Sequence, residues 1–113
     1  MAESLALLKG TLDVLVLKGL SWGPMHGVEI TSWLEARSDG SLAVEDSALY
    51  YALHRMEERG LVLAEWGLTE NNRRARYYTI SAAGRRWLAA ESAQLLKYAA
   101  TVTSLLRSRT RLA

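Results

Sequence analysis

Apolar residues at Leu5, Leu8, Leu12 and Leu15 recur at the i, i+3, i+4 spacing of a helical face, and the run continues to Leu20. The pattern predicts a first helix over 5–20. Leu7, Val14, Val16 and Leu17 make this helix apolar on its other sides too, so it needs two covers: it lies at the centre of its own protomer, or a second subunit covers the outer side. Gly23 and the single proline, Pro24, break it within the segment Ser21 to His26. A second helix is expected from Gly27 to about Arg37, with Val28, Ile30, Trp33 and Leu34 for the core, Glu29 and Glu35 for water, and Asp39, Gly40 and Ser41 at its end. Leu42 to Val44 reads as a short strand. Asp46 or Ser47 is placed to cap a third helix reaching Arg59, with Gly60 as its left-handed C-cap.

Leu61 to Leu68 reads as a strand and Tyr77 to Ile80 as its returning partner, with Thr69 to Arg76 as a long polar tip. Ser81 then caps a last helix in which Leu88, Leu95 and Val102 repeat every seven residues, joined by Ala99 and Leu106. That seam calls for another helix. The expected class is mostly α with a small β-hairpin wing: a winged helix-turn-helix over residues 1–80, followed by a C-terminal dimerisation helix over 81–113. Leu5, Leu8, Leu12, Leu88, Leu95, Ala99, Val102 and Leu106 are the expected dimer residues.

On a helical wheel Leu49, Ala52, Leu53 and Met56 of the third helix share one side. Ser47, Tyr51 and His54 lie opposite, flanked by Tyr50 and Arg55. This face carries hydrogen-bonding groups that suit base edges and phosphates, and the alternative for the two tyrosines is core or dimer packing. Glu57 and Glu58 at the far end would repel DNA, so only the N-terminal turns are expected to insert. The hairpin tip TENNRRAR sets Arg73, Arg74 and Arg76 beside Asn71 and Asn72, a combination suited to phosphates and a narrow minor groove. The competing reading is a solvated turn whose arginines pair with Glu65 or Glu70.

Charge sharpens this picture. The net charge is only +2, but residues 1–70 hold 5 Lys/Arg against 11 Asp/Glu and residues 71–113 hold 9 against 1. The basic half begins at the wing with Arg73. With 113 residues, 50% of them hydrophobic, the chain can build one real core, and the absence of cysteine excludes disulfides and thiolate metal sites. The most apolar stretch, Leu12 to Leu20, carries Asp13 and Lys18 and is too short to span a bilayer. Glu3 ahead of the leucines does not fit a secretory signal, so the expected location is the cytoplasm.

The segments LLKGTLDVLVLKGL, GPMHGVEI, ALYYALHRMEERG, AEWGLTENNRRARYYTIS and AAGRRWL together resemble the PadR family of bacterial regulators, in its small single-domain form, over nearly the whole chain. The resemblance implies a homodimeric repressor that binds an inverted repeat in double-stranded DNA and is released by a phenolic or other flat hydrophobic effector. It also makes Trp87 a candidate for an effector pocket, against plain interface packing. On the third helix the family's Leu-Tyr-Pro appears as Leu49, Tyr50 and Tyr51. Tyr50 takes the family's tyrosine and Tyr51 stands where proline belongs.

Other functions find little in the sequence. His26 and His54 are near no candidate triad, Asp39 and Glu45 fall in a short loop, and ligand-spaced histidine or carboxylate clusters and glycine-rich phosphate loops are absent. Neither an enzyme, a metal site nor a cofactor is expected. The alternative with most support is a winged helix that docks a protein partner, for which three arginines and two asparagines at the wing tip would have no use.

Overall fold

The structure, a computed structural model, describes residues 10–111. Its elements are α1 (Thr11–Leu20), β1 (Met25–His26), α2 (Gly27–Arg37), α3 (Asp46–Glu58), β2 (Val62–Leu68), β3 (Arg74–Ile80) and α4 (Ala82–Leu106). The sheet has the order β1-β3-β2 and is antiparallel throughout. This is a winged helix with a long C-terminal helix.

The apolar α1 is the central helix. Val16, Leu17 and Leu20 are fully buried, and α2, α3, α4 and β3 all pack around α1. Within the described residues, cover on several sides comes from the protomer itself. Leu5 and Leu8 lie outside the described residues. Leu12 is partly buried against the same core, which also takes Leu88 from the start of α4. Leu88, expected at a dimer seam, is buried in the protomer's own core, because α4 packs its first turns back on α1.

Two expectations about strands change. Leu42 to Val44 is an irregular loop in which the Leu42 amide donates to Ser38 Oγ at 2.9 Å. The third strand is instead Met25–His26, paired with Tyr78 and Tyr77 of β3. Two residues after a Gly-Pro breaker carry no periodicity, and only the open edge of β3 makes them a strand. The wing tip is also shorter than expected. β3 starts at Arg74, opposite Leu68, so Arg74 and Arg76 are strand residues and the loop is Thr69 to Arg73. It closes through the Thr69 amide donating to the Arg73 carbonyl at 2.9 Å, and Asn72 takes a positive φ of 63°, which asparagine tolerates well.

A knot of short contacts joins α3, β2 and α4. Gly60, at φ 73°, ends α3 as expected, with its amide donating to Glu57 and the Leu61 amide donating to Met56. These two bonds are the Schellman pattern. Ser81 then donates from Oγ to the Gly60 carbonyl at 2.6 Å and from its amide to the Leu61 carbonyl at 3.0 Å, while Oγ accepts from the Gly84 amide at 3.0 Å. It caps α4 and ties it to the end of α3. Gly84 sits so close that a Cβ would lie 2.1 Å from the Leu61 carbonyl oxygen and 2.8 Å from Ile80 Cγ1. At the other end of the domain α2 is capped by a box in which Nδ1 of His26 accepts from the Glu29 amide and Glu29 accepts from the His26 amide.

The 25 residues of α4 extend about 37 Å at the usual helical rise. Its second half leaves the body, which raises the radius of gyration to 16.4 Å against about 13 Å for a compact chain of this size.

Gly84→Ala forces a methyl group into backbone and is expected to lower unfolding free energy by about 3 kcal/mol, whereas Ser81→Ala, which removes a helix cap, costs about 1 kcal/mol. Urea denaturation of both variants checks the order. Equal, small losses would mean that the close crossing is not a constraint.

Candidate nucleic-acid interface

The wheel drawn from the sequence is realised on α3. Leu49, Ala52, Leu53 and Met56 are buried, while Ser47, Tyr50, Tyr51 and His54 are exposed. Tyr50 and Tyr51 are 60% and 70% exposed, so in the protomer neither is core. The four exposed residues line one shallow surface on the outer side of the helix. His54 Nε2 sits 2.8 Å from Glu58 Oε1, one turn along α3.

Between Tyr50 and the wing runs a groove of about 630 Å³. The start of α2 contributes His26, Gly27 and Val28 to it, and the hairpin contributes Trp66, Thr69, Asn71 and residues 73–76. The register explains why the arginines look into it. Trp66 pairs with Arg76 and Leu68 with Arg74, so these four share the sheet face that farther down carries the buried Val62, Tyr78 and Ile80. Burial of Tyr78 pushes its hydroxyl pKa up, against a lowering influence of Arg76, so the phenol stays neutral at physiological pH.

The basic residues of the site fall into two groups. Arg76 Nη2 donates to Glu57 Oε2 at 2.8 Å, and its guanidinium also lies 5.9 Å from the Tyr78 ring centroid. Arg55 Nη2 donates to Asp13 Oδ1 at 3.0 Å. Both guanidinium groups are thus engaged by carboxylates of the protein: one braces the wing against the end of α3, the other fixes α3 to α1. Arg73 and Arg74 form no ion pair among the described residues. Asn71 and Asn72 are exposed beside them at the tip.

Asp13 had appeared in the sequence only as an interruption of an apolar run. It is 7% exposed, and its role was unreadable because its partner is 42 residues away. A lone acid on an otherwise apolar helix was the available signal. Trp66, at the wing face of the groove, was likewise absorbed into a strand pattern. On the far side of the molecule Trp87 is partly buried against the core with the Arg59 guanidinium 5.3 Å from its ring centroid, and it borders a depression of about 280 Å³ with Val14, Leu95 and Tyr98. Among the described residues there is no group of three or more histidine or acidic side chains that could hold a metal ion, and no helix long and apolar enough to cross a membrane.

The model of the transcriptional regulator PadR-like family matches residues 16–90, which span α1 through the first part of α4. The chain belongs to this family. PadR-like proteins are transcriptional regulators, not enzymes. A PadR family transcriptional regulator from Eggerthella lenta is 30% identical, with 89% of this chain and 86% of that one covered and a TM-score of 0.73. A transcriptional regulator from Clostridium thermocellum shares the fold at a TM-score of 0.79 and 22% identity, over 88% of this chain and 96% of the other. The PadR of Bacillus subtilis, solved in complex with operator DNA, aligns at a TM-score of 0.64 and 20% identity over 71% of this chain and 45% of its own.

Arg55→Ala leaves the buried Asp13 carboxylate without its partner and is expected to cost about 1–2 kcal/mol of stability, discounted because Arg55 itself is half exposed. Denaturant titration measures the loss, and salt-dependent DNA binding is the control. A weakened salt slope with unchanged stability would instead make Arg55 a phosphate contact.

Proposed function

We propose that this chain is a homodimeric repressor that inserts the N-terminal turns of α3 into the major groove of an inverted-repeat operator, with the wing lying on the adjacent backbone or minor groove. The observation that carries this reading is the pairing of two features across one groove: the polar face of Ser47, Tyr50, Tyr51 and His54 on α3, and Arg73 and Arg74, which form no ion pair among the described residues, with Asn71 and Asn72 on the wing. Groove readers place base contacts on such a helix and phosphate or minor-groove contacts on such a wing. The Bacillus subtilis protein, whose fold this chain shares, is solved in complex with operator DNA, which supports DNA as the partner.

For the dimer, the support is apolar surface on α4. Leu96, Tyr98, Leu105 and Leu106 are exposed on a helix that has left the body, and Leu95 and Val102 are only partly covered. A helix carrying that much exposed apolar surface is stabilised by a second copy, and the seam of Leu95, Ala99, Val102 and Leu106 is the proposed contact. Two copies set two recognition helices a DNA turn apart, so the operator is two-fold symmetric. The depression beside Trp87 is small for a drug-sized ligand. Closure by the partner's α4 would turn it into an enclosed aromatic pocket, and a flat hydrophobic compound held there, altering the angle between the two copies, would release the DNA.

Selection of duplexes from a random pool at a stated near-physiological salt, with sedimentation of the free protein, tests this reading together. The expected outcome is a dimer that enriches a two-fold symmetric site. Arg73→Ala with Arg74→Ala weakens binding to all duplexes and reduces the slope of log K against log salt by about 2, while Glu57→Gln, which frees Arg76, strengthens binding to mixed-sequence DNA. Enrichment of no symmetric site, or a monomer, would overturn it. A titration of tryptophan fluorescence with flat aromatic compounds, expected to respond in the native chain and not in Trp87→Phe, tests the effector pocket.

A further inference from the structure

Trp66 is 62% exposed on the wing, where its ring contributes little to the core. What it does touch is Arg74, whose guanidinium carbon lies 4.6 Å from the ring centroid. The two are diagonal neighbours on one sheet face, since Trp66 pairs with Arg76 and Arg74 with Leu68. The contrast with Arg76 is informative. Arg76 is held by a carboxylate, which takes a donor on its Nη2 and offsets its charge. A guanidinium stacked on an indole is held by its flat face, so its in-plane donors and its charge remain available.

The hairpin supports this geometry from behind. A Cβ on Gly67 would lie 3.0 Å from the Tyr77 ring, and the Tyr77 hydroxyl donates to the Leu68 carbonyl at 3.3 Å. The backbone just after the indole is thereby held against β3. Trp66 and Arg74 both line the groove that faces Tyr50 of α3.

We propose that Trp66 is a positioning residue for DNA binding: it holds the Arg74 guanidinium flat on its indole, with the donor edge open to the groove, so that Arg74 meets the nucleic acid already ordered. This rests on the DNA-binding reading above. A side chain ordered before binding loses less conformational freedom on binding, so the contribution of Trp66 appears as affinity without adding a charge.

The test is a double-mutant cycle on Trp66 and Arg74 with purified full chain, a mixed-sequence DNA duplex and the selected symmetric duplex, across a salt series. Trp66→Ala is expected to weaken binding about two- to five-fold, as loss of an exposed cation–π contact would, and to leave the salt slope unchanged. Arg74→Ala reduces that slope by about 0.9. In the Arg74→Ala background Trp66→Ala has no further effect, whereas in an Arg76→Ala background it keeps its full effect. Trp66→Phe restores most of the affinity, and Trp66→Leu, which keeps apolar bulk without the ring face, does not. Thermal melting of the Trp66 variants is expected to match the native chain. Additive losses in the cycle, or native binding by Trp66→Leu, would overturn the proposal while leaving DNA binding intact. Failure of the native chain to bind any duplex overturns both.

Discussion

The presentation of the polar face of α3 depends on how α3 is seated in the core. Four residues, Leu49, Ala52, Leu53 and Met56, bury one stripe of a thirteen-residue helix in the core formed by α1, α2 and β2. A stripe of this kind fixes rotation about the helix axis, because turning α3 by one residue would expose leucine and bury tyrosine. The Asp13–Arg55 pair adds what apolar packing lacks, a directional contact. With Asp13 buried and Arg55 half exposed, such a pair is weak evidence for stability and better evidence for a fixed arrangement. Here it sits one residue from Met56, on the flank of the buried stripe.

The wing is placed by a second set of constraints. The Schellman turn at Gly60, the Ser81 hydroxyl and the close passage of Gly84 over the Leu61 carbonyl join the end of α3, the base of the hairpin and the start of α4 at one point. The Glu57–Arg76 pair then links the hairpin back to α3. Wing and helix therefore form the two sides of one groove at a fixed separation, and α4 leaves from the same point.

Charge in the groove is graded by what each guanidinium touches. All three wing arginines are alike in sequence, but one is neutralised by a carboxylate, one is stacked on an indole and one stands at the tip. The acidic first half of the chain is not spread evenly over the surface either. Asp13 and Glu57 are each paired with an arginine, which offsets their charge where they stand.

The sequence by itself determined whatever is local: the period of the helices, the caps at Ser81 and Gly60, the inner and outer sides of α3, and the family, whose motifs are contiguous segments. It misplaced what depends on an edge or on a partner. Met25–His26 is a strand only because β3 offers open hydrogen bonds, and Arg74 and Arg76 joined that strand because the hairpin loop closes at Arg73. Leu88 and Leu95 share a heptad spacing with Val102, and Leu106 follows one turn later, yet Leu88 is core and Leu106 is bare, since α1 covers only the earlier turns of α4. Only the tertiary structure decided which arginine met which carboxylate. Pairing energies between side chains 19 or 42 residues apart depend on distances set by the whole packing, and no periodicity along the chain records them.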